Sequence, residues 1–234
     1  MPIPQIKITK GEQLLIKSLV AHYVKNRSFI EVMLKQLSDA ILGSPKLMGH
    51  VHSTKARLKD PQHLEDKLLR KLAEAKGKNR PFTISQKNLF YKINDLAGFR
   101  ILHLHTEQIL SINRELLAVL EEYRFPLFEK PKARTWDDES REFFRGCGIE
   151  PIKSPTMYTS VHYVVESNSS TRATCEIQVR TLAEELWGEV DHTMNYPHES
   201  PVLSCREQIK VLARVTSSCS RLVDSIFRSA EPGK

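Results

Sequence analysis

The sequence predicts an α+β protein, in which amphipathic helices are combined with strand-forming segments. Apolar residues recur at helical spacing towards both ends of the chain, in residues 11–42 and 204–226. Between these ends, an apolar run follows a tight turn at residues 95–98, and the stretches 158–165 and 174–181 alternate as strands do. Helices towards both ends and strands between them place the chain in the class of proteins that contain both.

The first elements are predicted to be helices followed by a strand. Residues 11–42 are expected to form one or two helices, which Gly43-Ser-Pro ends. Residues 51–59 mix β-branched and polar side chains. A strand there would place Arg57 and Lys59 on one face, because successive side chains alternate between the two faces.

The next segment predicts a well-defined helix and then a loop. Asp60 is a good helix cap and Pro61 suits the first helical position, so a helix is expected to run from there until Gly77. Lys67 lies on its first two turns. Residues 76–92 are basic and rich in turn formers, which predicts a partly mobile, solvated loop, with contact to nucleic acid as the alternative.

The middle of the chain shows fewer signals. Thr106 is expected to cap a helix with an apolar stripe, and residues 125–129 predict a short strand. Residues 130–156 show little periodicity and therefore predict a long loop, either functional or disordered. After it, a turn at residues 168–171 joins the two alternating strands into a hairpin.

The C-terminal part predicts two further helices. One covers residues 182–194 and ends before Pro197, and the other begins near Ser204, which Glu207 follows at capping-box spacing. The apolar stripe of the last helix indicates core or an oligomer interface, with core favoured. This stripe consists of Ile209, Leu212, Val215, Cys219, Leu222 and Ile226. The chain is accordingly divided into an N-terminal helical segment (1–50), a central α+β core (51–197) and a C-terminal helix (198–234).

Composition limits the class of protein. Hydrophobic residues make up 40% of the chain and charged residues 27%, as in ordinary globular proteins, and the net charge of +7 favours a polyanionic partner. The four cysteines show neither CxxC nor zinc-ligand spacing, which indicates reduced thiols in the cytoplasm. Neither a membrane-spanning run nor a signal peptide is recognisable, so a cytoplasmic protein with no membrane partner is expected.

Two acidic residues stand out by their position. Asp95 precedes one predicted strand, and Glu176 lies near the start of another, with arginines and lysines nearby. Paired carboxylates surrounded by cations are what a magnesium-dependent phosphoryl-transfer site needs. On the pattern alone, ordinary acids at strand ends are an equally good interpretation.

The motifs in sequence order resemble a known family. They are Arg57-Leu-Lys59 with Lys67, followed by the segments 95–100, 158–162, 176–181 and 187–192. This series resembles the synthetase domain of the RelA/SpoT family, the enzymes that make the alarmone (p)ppGpp, from about His52 to Pro197. In size the chain resembles the family's single-domain small alarmone synthetases.

The resemblance implies a fold and a reaction. The fold would be a mixed sheet flanked by helices, distantly related to nucleotidyltransferases. In the reaction, the 3′-hydroxyl of an acceptor nucleoside attacks the β-phosphate of ATP, so that pyrophosphate is transferred and AMP leaves. On the donor side, Arg57 and Arg100 would sandwich the adenine of ATP, while Lys59 and Lys67 would neutralise its phosphates. His63 stands where the family usually has serine.

The resemblance also implies catalytic and acceptor residues. Asp95 would hold Mg²⁺, and Glu176 would complete the metal site or take the proton from the attacking hydroxyl. Tyr158 would stack on the acceptor base. His162 and Gln178 would line the phosphates or ribose of the acceptor. Each of these could instead be an ordinary strand residue, and the order of the motifs favours the functional interpretation.

Departures from the family pattern fall on the acceptor side. Ser154 and Met157 stand where many guanosine-using members have lysine and glycine. Thr159 stands where a basic residue is common, and Glu185 where the common small synthetases have asparagine. A lost lysine and a gained acid weaken the case for an acceptor with a 5′-triphosphate. The donor is therefore better supported than the acceptor.

Several functions and partners remain open at this point. GTP or GDP is the leading acceptor, and the alternatives are adenine nucleotides or the 3′-terminal adenosine of tRNA, which some toxic relatives modify. A toxin would be accompanied by an antitoxin protein. A homo-oligomer is expected from the family. The remaining alternative is a catalytically inactive nucleotide- or RNA-binding module, against which the retention of Asp95 and Glu176 argues.

Overall fold

Helices and strands alternate along the chain, and the computed structural model describes residues 8–196 and 199–230. The helices are α1 (Lys10–Lys25), α2 (Arg27–Leu42), α3 (Pro45–Met48), α4 (Pro61–Gly77), α5 (Leu89–Lys92), α6 (Gln108–Glu122), α7 (Asp138–Gly146), α8 (Leu182–Asn195) and α9 (Leu203–Ala230). The strands are β1 (Ser53–Leu58), β2 (Ala97–His103), β3 (Leu127–Thr135), β4 (Glu150–Lys153), β5 (Ser160–Glu166) and β6 (Thr174–Thr181).

The six strands form one mixed sheet. Their order is β1-β2-β6-β5-β3-β4. The pairs β2–β6 and β3–β4 are parallel, and the other three pairs are antiparallel. This arrangement confirms the predicted α+β fold with a mixed sheet flanked by helices.

The sheet has one apolar face and one polar face. On β2, Phe99 and Ile101 are buried in the main core together with residues of α2 and α6, whereas Arg100 between them lies on the other face. On the neighbouring β6, Ile177 is in the same core and Gln178 alternates with it. Alternation therefore brings the polar side chains of several strands to one surface.

Helix α4 is positioned by its cap and by α1. The side chain of Asp60 accepts hydrogen bonds from backbone amides of the first turn and Pro61 occupies the first position, which confirms the predicted start. Leu64 belongs to a second, smaller core that α4 shares with α1. From α1, the Tyr23 hydroxyl donates to the carbonyl of Lys59, 2.7 Å away, which anchors the chain directly after β1.

The predicted loop at residues 130–156 is wrong. β3 continues to Thr135, and helix α7 and strand β4 lie within the segment. Asp137 caps α7, Phe144 is buried in the core, and Gly148 has a φ of +73°, which favours glycine after the helix end. Elements of four to nine residues are too short to produce a clear periodic pattern.

The start of α6 also differs from the prediction. The helix begins at Gln108, and Thr106 does not cap it. Asp224 of α9 accepts a hydrogen bond from the Glu107 amide at 3.0 Å, and the Gln108 side chain accepts one from Leu104 at 2.8 Å. A residue more than 100 positions away therefore satisfies this helix start, which no local pattern indicates.

The basic segment 76–92 is tied to the smaller core. It contains the short helix α5, and Ile84 and Leu89 are buried against α1 and α4. The predicted loop is thus confined to the residues between α4 and α5, with apolar anchors within it.

The last helix contacts the rest of the protein through small and polar residues. Its buried positions are Ile209, Ala213, Thr216, Ser220 and Asp224. Val215, Leu222 and Ile226 are exposed, so the interpretation of the whole apolar stripe as core is wrong. The helix starts at Leu203, which places Ser204 inside its first turn.

Three other sequence-based expectations concern the chain as a whole. Within the described residues, none of the helices combines the length and the apolar character that crossing a bilayer requires. The division at residues 50 and 197 and the cytoplasmic location stay predictions. Pro197, the predicted end of the 182–194 helix, lies outside the described residues, and α8 ends at Asn195.

Candidate active site

The polar face of the sheet brings most of the predicted site residues together. Arg57 of β1 lies opposite Gly98, whose other neighbour is Glu176 of β6. One row further along, Arg100 of β2 and Gln178 of β6 are paired, and Gln178 is also paired with His162 of β5. The sheet register thus pairs residues that are 78 positions apart in the sequence (98 with 176, and 100 with 178).

Asp95 lies just before β2 and is held by two lysines. Lys59 Nζ is 2.9 Å from its Oδ2, and Lys67 Nζ of α4 is 2.8 Å from its Oδ1. Burial alone would raise the pKa of Asp95, but Lys67 and Lys59 outweigh it and lower this pKa to about 2. Asp95 is therefore an anion at neutral pH.

Glu176 is a second, largely buried anion on the same face. His162 Nδ1 lies 2.9 Å from its Oε1, and Gln178 Nε2 donates to its Oε2 at 2.8 Å. Burial raises the pKa of Glu176, but the bond and charge of His162 reverse the effect and leave it below its ordinary value. Asp95 and Glu176 line one narrow cleft together with Arg57.

The two carboxylates fit a divalent cation by the chemistry of their donor atoms. Both offer oxygen atoms, both are ionised at neutral pH, and both face the cleft between β1 and β6. Hard cations such as Mg²⁺ prefer such oxygens and usually keep positions for water or phosphate. A group of three other potential ligands, His105, Glu107 and Asp224, lies beyond the far end of β2.

A larger cavity of about 370 Å³ adjoins this cleft and shares Arg57, Arg100 and Gln178 with it. Tyr158, which precedes β5, lies against it, with its ring centre 6.4 Å from that of Trp187 and 5.8 Å from the Arg180 guanidinium. The Tyr158 hydroxyl is 3.3 Å from His162 Nε2, and burial raises the pKa of Tyr158. The lining includes Arg57, Arg100, Tyr158, Gln178, Arg180 and Trp187.

Helix α8 contributes Glu185, which the sequence analysis placed on the acceptor side, and Glu189, to which it gave no role. Arg100 Nη1 is 2.5 Å from Glu185 Oε1 and 2.8 Å from Glu189 Oε1. Glu185 also forms an ion pair with Arg180. Glu189 lies four residues after Glu185 on the same helix, and this spacing was a signal that could have found it.

This geometry corrects the inference drawn from Glu185. Its carboxylate is neutralised by two arginines and is largely buried, with 13% of the side chain exposed. It is therefore not a free negative charge facing an acceptor. Among the described residues, Arg57 has no ion-pair partner, so its guanidinium remains available to a ligand.

A model of a protein family matches this part of the chain. The family, described as "Region found in RelA / SpoT proteins", matches residues 56–201. The chain belongs to the RelA/SpoT family. The family region extends from β1 across the whole sheet to α8, and so contains both carboxylates and the cavity.

Known relatives agree with this assignment. GTP pyrophosphokinase YwaC of Bacillus subtilis (strain 168) is 25% identical over 155 residues, which cover 63% of this chain and 60% of YwaC. The small alarmone synthetase 1 from Bacillus subtilis bound to its product pppGpp superposes with a TM-score of 0.57 at 21% identity, covering 92% of this chain and 97% of that one. A GTP pyrophosphokinase family protein from Streptococcus pneumoniae gives 0.55 at 16% identity, with 95% and 96% covered. At these identities the two superpositions establish a shared fold.

Proposed function

We propose that this RelA/SpoT family member is an ATP-dependent pyrophosphokinase. It transfers the β,γ-pyrophosphate of ATP to the 3′-hydroxyl of GTP or GDP, which yields (p)ppGpp and AMP. The observation that carries the proposal is the pair of ionised carboxylates, Asp95 and Glu176, in one cleft between the basic and aromatic residues of the sheet face. The printed name of the relative YwaC, a GTP pyrophosphokinase, supports the same activity.

The donor side is supported by the arginines and lysines. Arg57 and Arg100 line one cavity, and a guanidinium can stack on adenine through its flat face. The glutamates hold Arg100 by its N–H edge, which leaves that face available. Lys59 and Lys67 lie at Asp95, where they would neutralise the phosphates of ATP. A small alarmone synthetase 1 bound to AMPCPP shares the fold, with a TM-score of 0.55 at 19% identity.

The reaction needs positioning and charge neutralisation more than covalent chemistry. The 3′-oxygen of the acceptor forms a bond to the β-phosphorus of ATP. The bond between that phosphorus and the oxygen that joins it to the α-phosphorus breaks, and AMP leaves with the bonding electrons. The hydroxyl proton passes to a base. A carboxylate with a lowered pKa is a weak base, which favours cation binding over proton abstraction for Glu176.

We assign Mg²⁺ to Asp95 and Glu176 on the basis of their oxygen donors and charge. Bound there, the ion would supply neutralisation of the phosphate charge that grows during transfer. The chain's own contribution is to keep both carboxylates ionised: Lys59 and Lys67 do so for Asp95, and His162 does so for Glu176.

The acceptor side is supported by Tyr158 and its surroundings. Its ring lies beside Trp187 and the Arg180 guanidinium at the cavity, where a purine could stack on it. His162 contacts both the Tyr158 hydroxyl and Glu176, so an acceptor stacked on this ring would lie close to the carboxylate cleft.

The test is AMP release from ATP and Mg²⁺ with GTP, GDP, ATP and bulk tRNA offered as separate acceptors. We expect AMP only with a guanosine nucleotide, and a loss of at least about 100-fold in Glu176→Gln. Glu166→Gln is the matched control, because Glu166 pairs with Arg172 at the end of β5 outside the cavity. A folded wild-type protein that releases no AMP with any acceptor contradicts the proposal.

A second candidate acceptor, the 3′-terminal adenosine of tRNA, is favoured by one feature of α4. A surface cavity of about 340 Å³ at the C-terminal end of α4 is lined by Lys71, Lys78, Arg80 and Lys92, and α4 also carries Lys67 at Asp95. Binding of tRNA should weaken steeply with salt, because phosphate contacts release counterions, whereas binding of a single nucleotide should weaken less. AMP formed only with tRNA would select this acceptor.

A further inference from the structure

Glu185 contacts two arginines that belong to different parts of the site. Its Oε1 lies 2.5 Å from Arg100 Nη1 of β2, and its Oε2 forms an ion pair with Arg180 Nη2 of β6. The three side chains are 13%, 12% and 4% exposed. One buried carboxylate therefore holds two guanidinium groups, one with each oxygen.

The two arginines lie on the sides of two different nucleotide subsites of the proposed function. Arg100 lines the cavity with Arg57, on the side assigned to ATP. The Arg180 guanidinium lies 5.8 Å from the ring centre of Tyr158, on the side assigned to the acceptor. Glu185 thus contacts Arg100 on the donor side and Arg180 on the acceptor side, and Arg180 in turn lies beside Tyr158.

Arg180 is also fixed from the side of α8. A Cβ atom at Gly188 would lie 2.5 Å from Arg180 Nη1, so the guanidinium occupies space that any residue other than glycine would take. The nearby Glu189 differs from Glu185 in two respects: it contacts Arg100 and Lys55 but not Arg180, and its side chain is 52% exposed.

We propose that Glu185 is a positioning residue that aligns Arg100 and Arg180 together, so that binding of ATP and binding of the acceptor strengthen each other. The inference rests on the proposed function, because it takes Arg100 and Tyr158 as donor and acceptor contacts. Without the carboxylate, two buried guanidinium groups lose their common partner and repel each other. Glu189 still contacts Arg100 but not Arg180, so the two guanidinium groups would then respond to their ligands independently of each other.

The test compares Glu185→Gln with Glu189→Gln. For each protein, the Kd of the best acceptor is measured with and without a non-hydrolysable ATP analogue, and KM and kcat are measured for both substrates. In wild type we expect the analogue to lower the Kd of the acceptor about fivefold or more, and acceptor to lower that of the analogue by the same factor. In Glu185→Gln, each ligand should leave the Kd of the other unchanged, and both KM values should rise roughly tenfold. Glu189→Gln should raise the KM of ATP alone and keep the factor.

A third variant separates alignment from general damage to the fold. Gly188→Ala displaces Arg180 but leaves Glu185 and Arg100 paired, so it should raise the KM of the acceptor and leave that of ATP unchanged. It also tests the inference if Glu185→Gln does not fold, as judged by its melting temperature. The inference is overturned if wild type binds its two substrates independently, if Glu185→Gln keeps the coupling factor, or if Gly188→Ala changes both KM values equally. If the wild-type protein releases no AMP with any acceptor, the proposed function fails as well. If it releases AMP but shows one of these outcomes, only the inference fails.

Discussion

At the level of single residues, charge is controlled by partners across the sheet. Asp95 is an anion because Lys59 and Lys67 contact one oxygen each, and Glu176 is an anion because His162 and Gln178 do the same. Both carboxylates are largely buried, and burial by itself would have raised their pKa values and favoured the neutral form. The basic residues of the site therefore also maintain its negative groups.

Replacement of Asp95 by asparagine should reduce AMP formation by at least about 100-fold, because the site loses a proposed cation ligand while two lysines lose their partner. AMP release under saturating ATP measures the effect. Asp39→Asn is the control, since Asp39 pairs with Lys35 on the surface of α2. Near-normal activity of folded Asp95→Asn would contradict the role assigned to Asp95.

Glu184 differs from Asp95 and Glu176, because its pKa is raised and theirs are lowered. Its carboxylate accepts a hydrogen bond from the Thr181 amide in the capping box of α8, but desolvation by the surrounding protein raises its pKa to about 7 from 4.5. A folded-state pKa above the unfolded one gives a stabilisation that is present below pH about 4.5 and lost as pH rises through about 7.

Glu184→Gln should therefore flatten the dependence of stability on pH. Glutamine keeps the capping acceptor but does not ionise. We expect wild type and variant to have similar free energies of unfolding at pH 5, and the variant to be more stable at pH 8 by about 3 kcal/mol. Urea unfolding at both pH values measures this difference. Parallel pH profiles of the two proteins would show that Glu184 does not titrate in this range.

At the level of elements, α9 is attached to the sheet by buried polar contacts. Asp224 Oδ1 is 2.9 Å from His105 Nδ1 and accepts from the Glu107 amide, and Thr181 Oγ1 lies 3.1 Å from Ser220 Oγ. Two of the three potential metal ligands beyond β2, His105 and Asp224, are therefore hydrogen-bonded partners, and the carboxylate of the third, Glu107, lies 3.5 Å from Arg228 Nε. The buried polar contacts also connect α9 to β6 and α8, which carry site residues.

Asp224→Ala should loosen α9 more than the rest of the protein. The variant leaves a buried imidazole and an amide without their acceptor, which costs about 2 kcal/mol. Hydrogen exchange should speed up in residues 217–230 while the sheet stays protected. Arg221→Ala, which removes an exposed arginine paired with Asp137 and Glu139, should change exchange little. Equal exchange in both variants would rule out this attachment.

At the level of the whole molecule, α9 leaves a row of apolar side chains uncovered. Val215, Leu222 and Ile226 are 57%, 63% and 57% exposed, and their spacing places them on one side of the helix. An uncovered apolar row of this kind is typical of an interaction surface. It agrees with the expectation of a homo-oligomer, which stays a prediction.

Light scattering after size exclusion tests the oligomer. Wild type should have a mass larger than one chain, and the double variant Leu222→Lys with Ile226→Lys should approach 26.9 kDa, because burying two lysines in an apolar interface is costly. Leu110→Lys, an equally exposed position on α6, should leave the mass unchanged. A wild-type mass equal to that of one chain would contradict the prediction of a homo-oligomer.

The sequence by itself determined the elements whose signals are local. The alternating strand at residues 174–181, the helix after it and the cap at Asp60 follow from periodicity and turn chemistry, and the structure has them at those places. The order of the motifs identified the family and nine candidate residues, and the sheet register brings those on its strands to one face. The roles of these residues stay predictions.

The tertiary structure alone decided what depends on contacts between distant segments. The charge of Glu185 is neutralised by arginines 85 and 5 residues away in sequence (185 − 100 and 185 − 180), and the cap near Glu107 comes from Asp224. The segment 130–156 orders as short elements because β3 pairs with β5 and β4 with β3, not because of its own periodicity. Burial and pairing are properties of the assembled sheet, so a pattern read along one segment does not contain them.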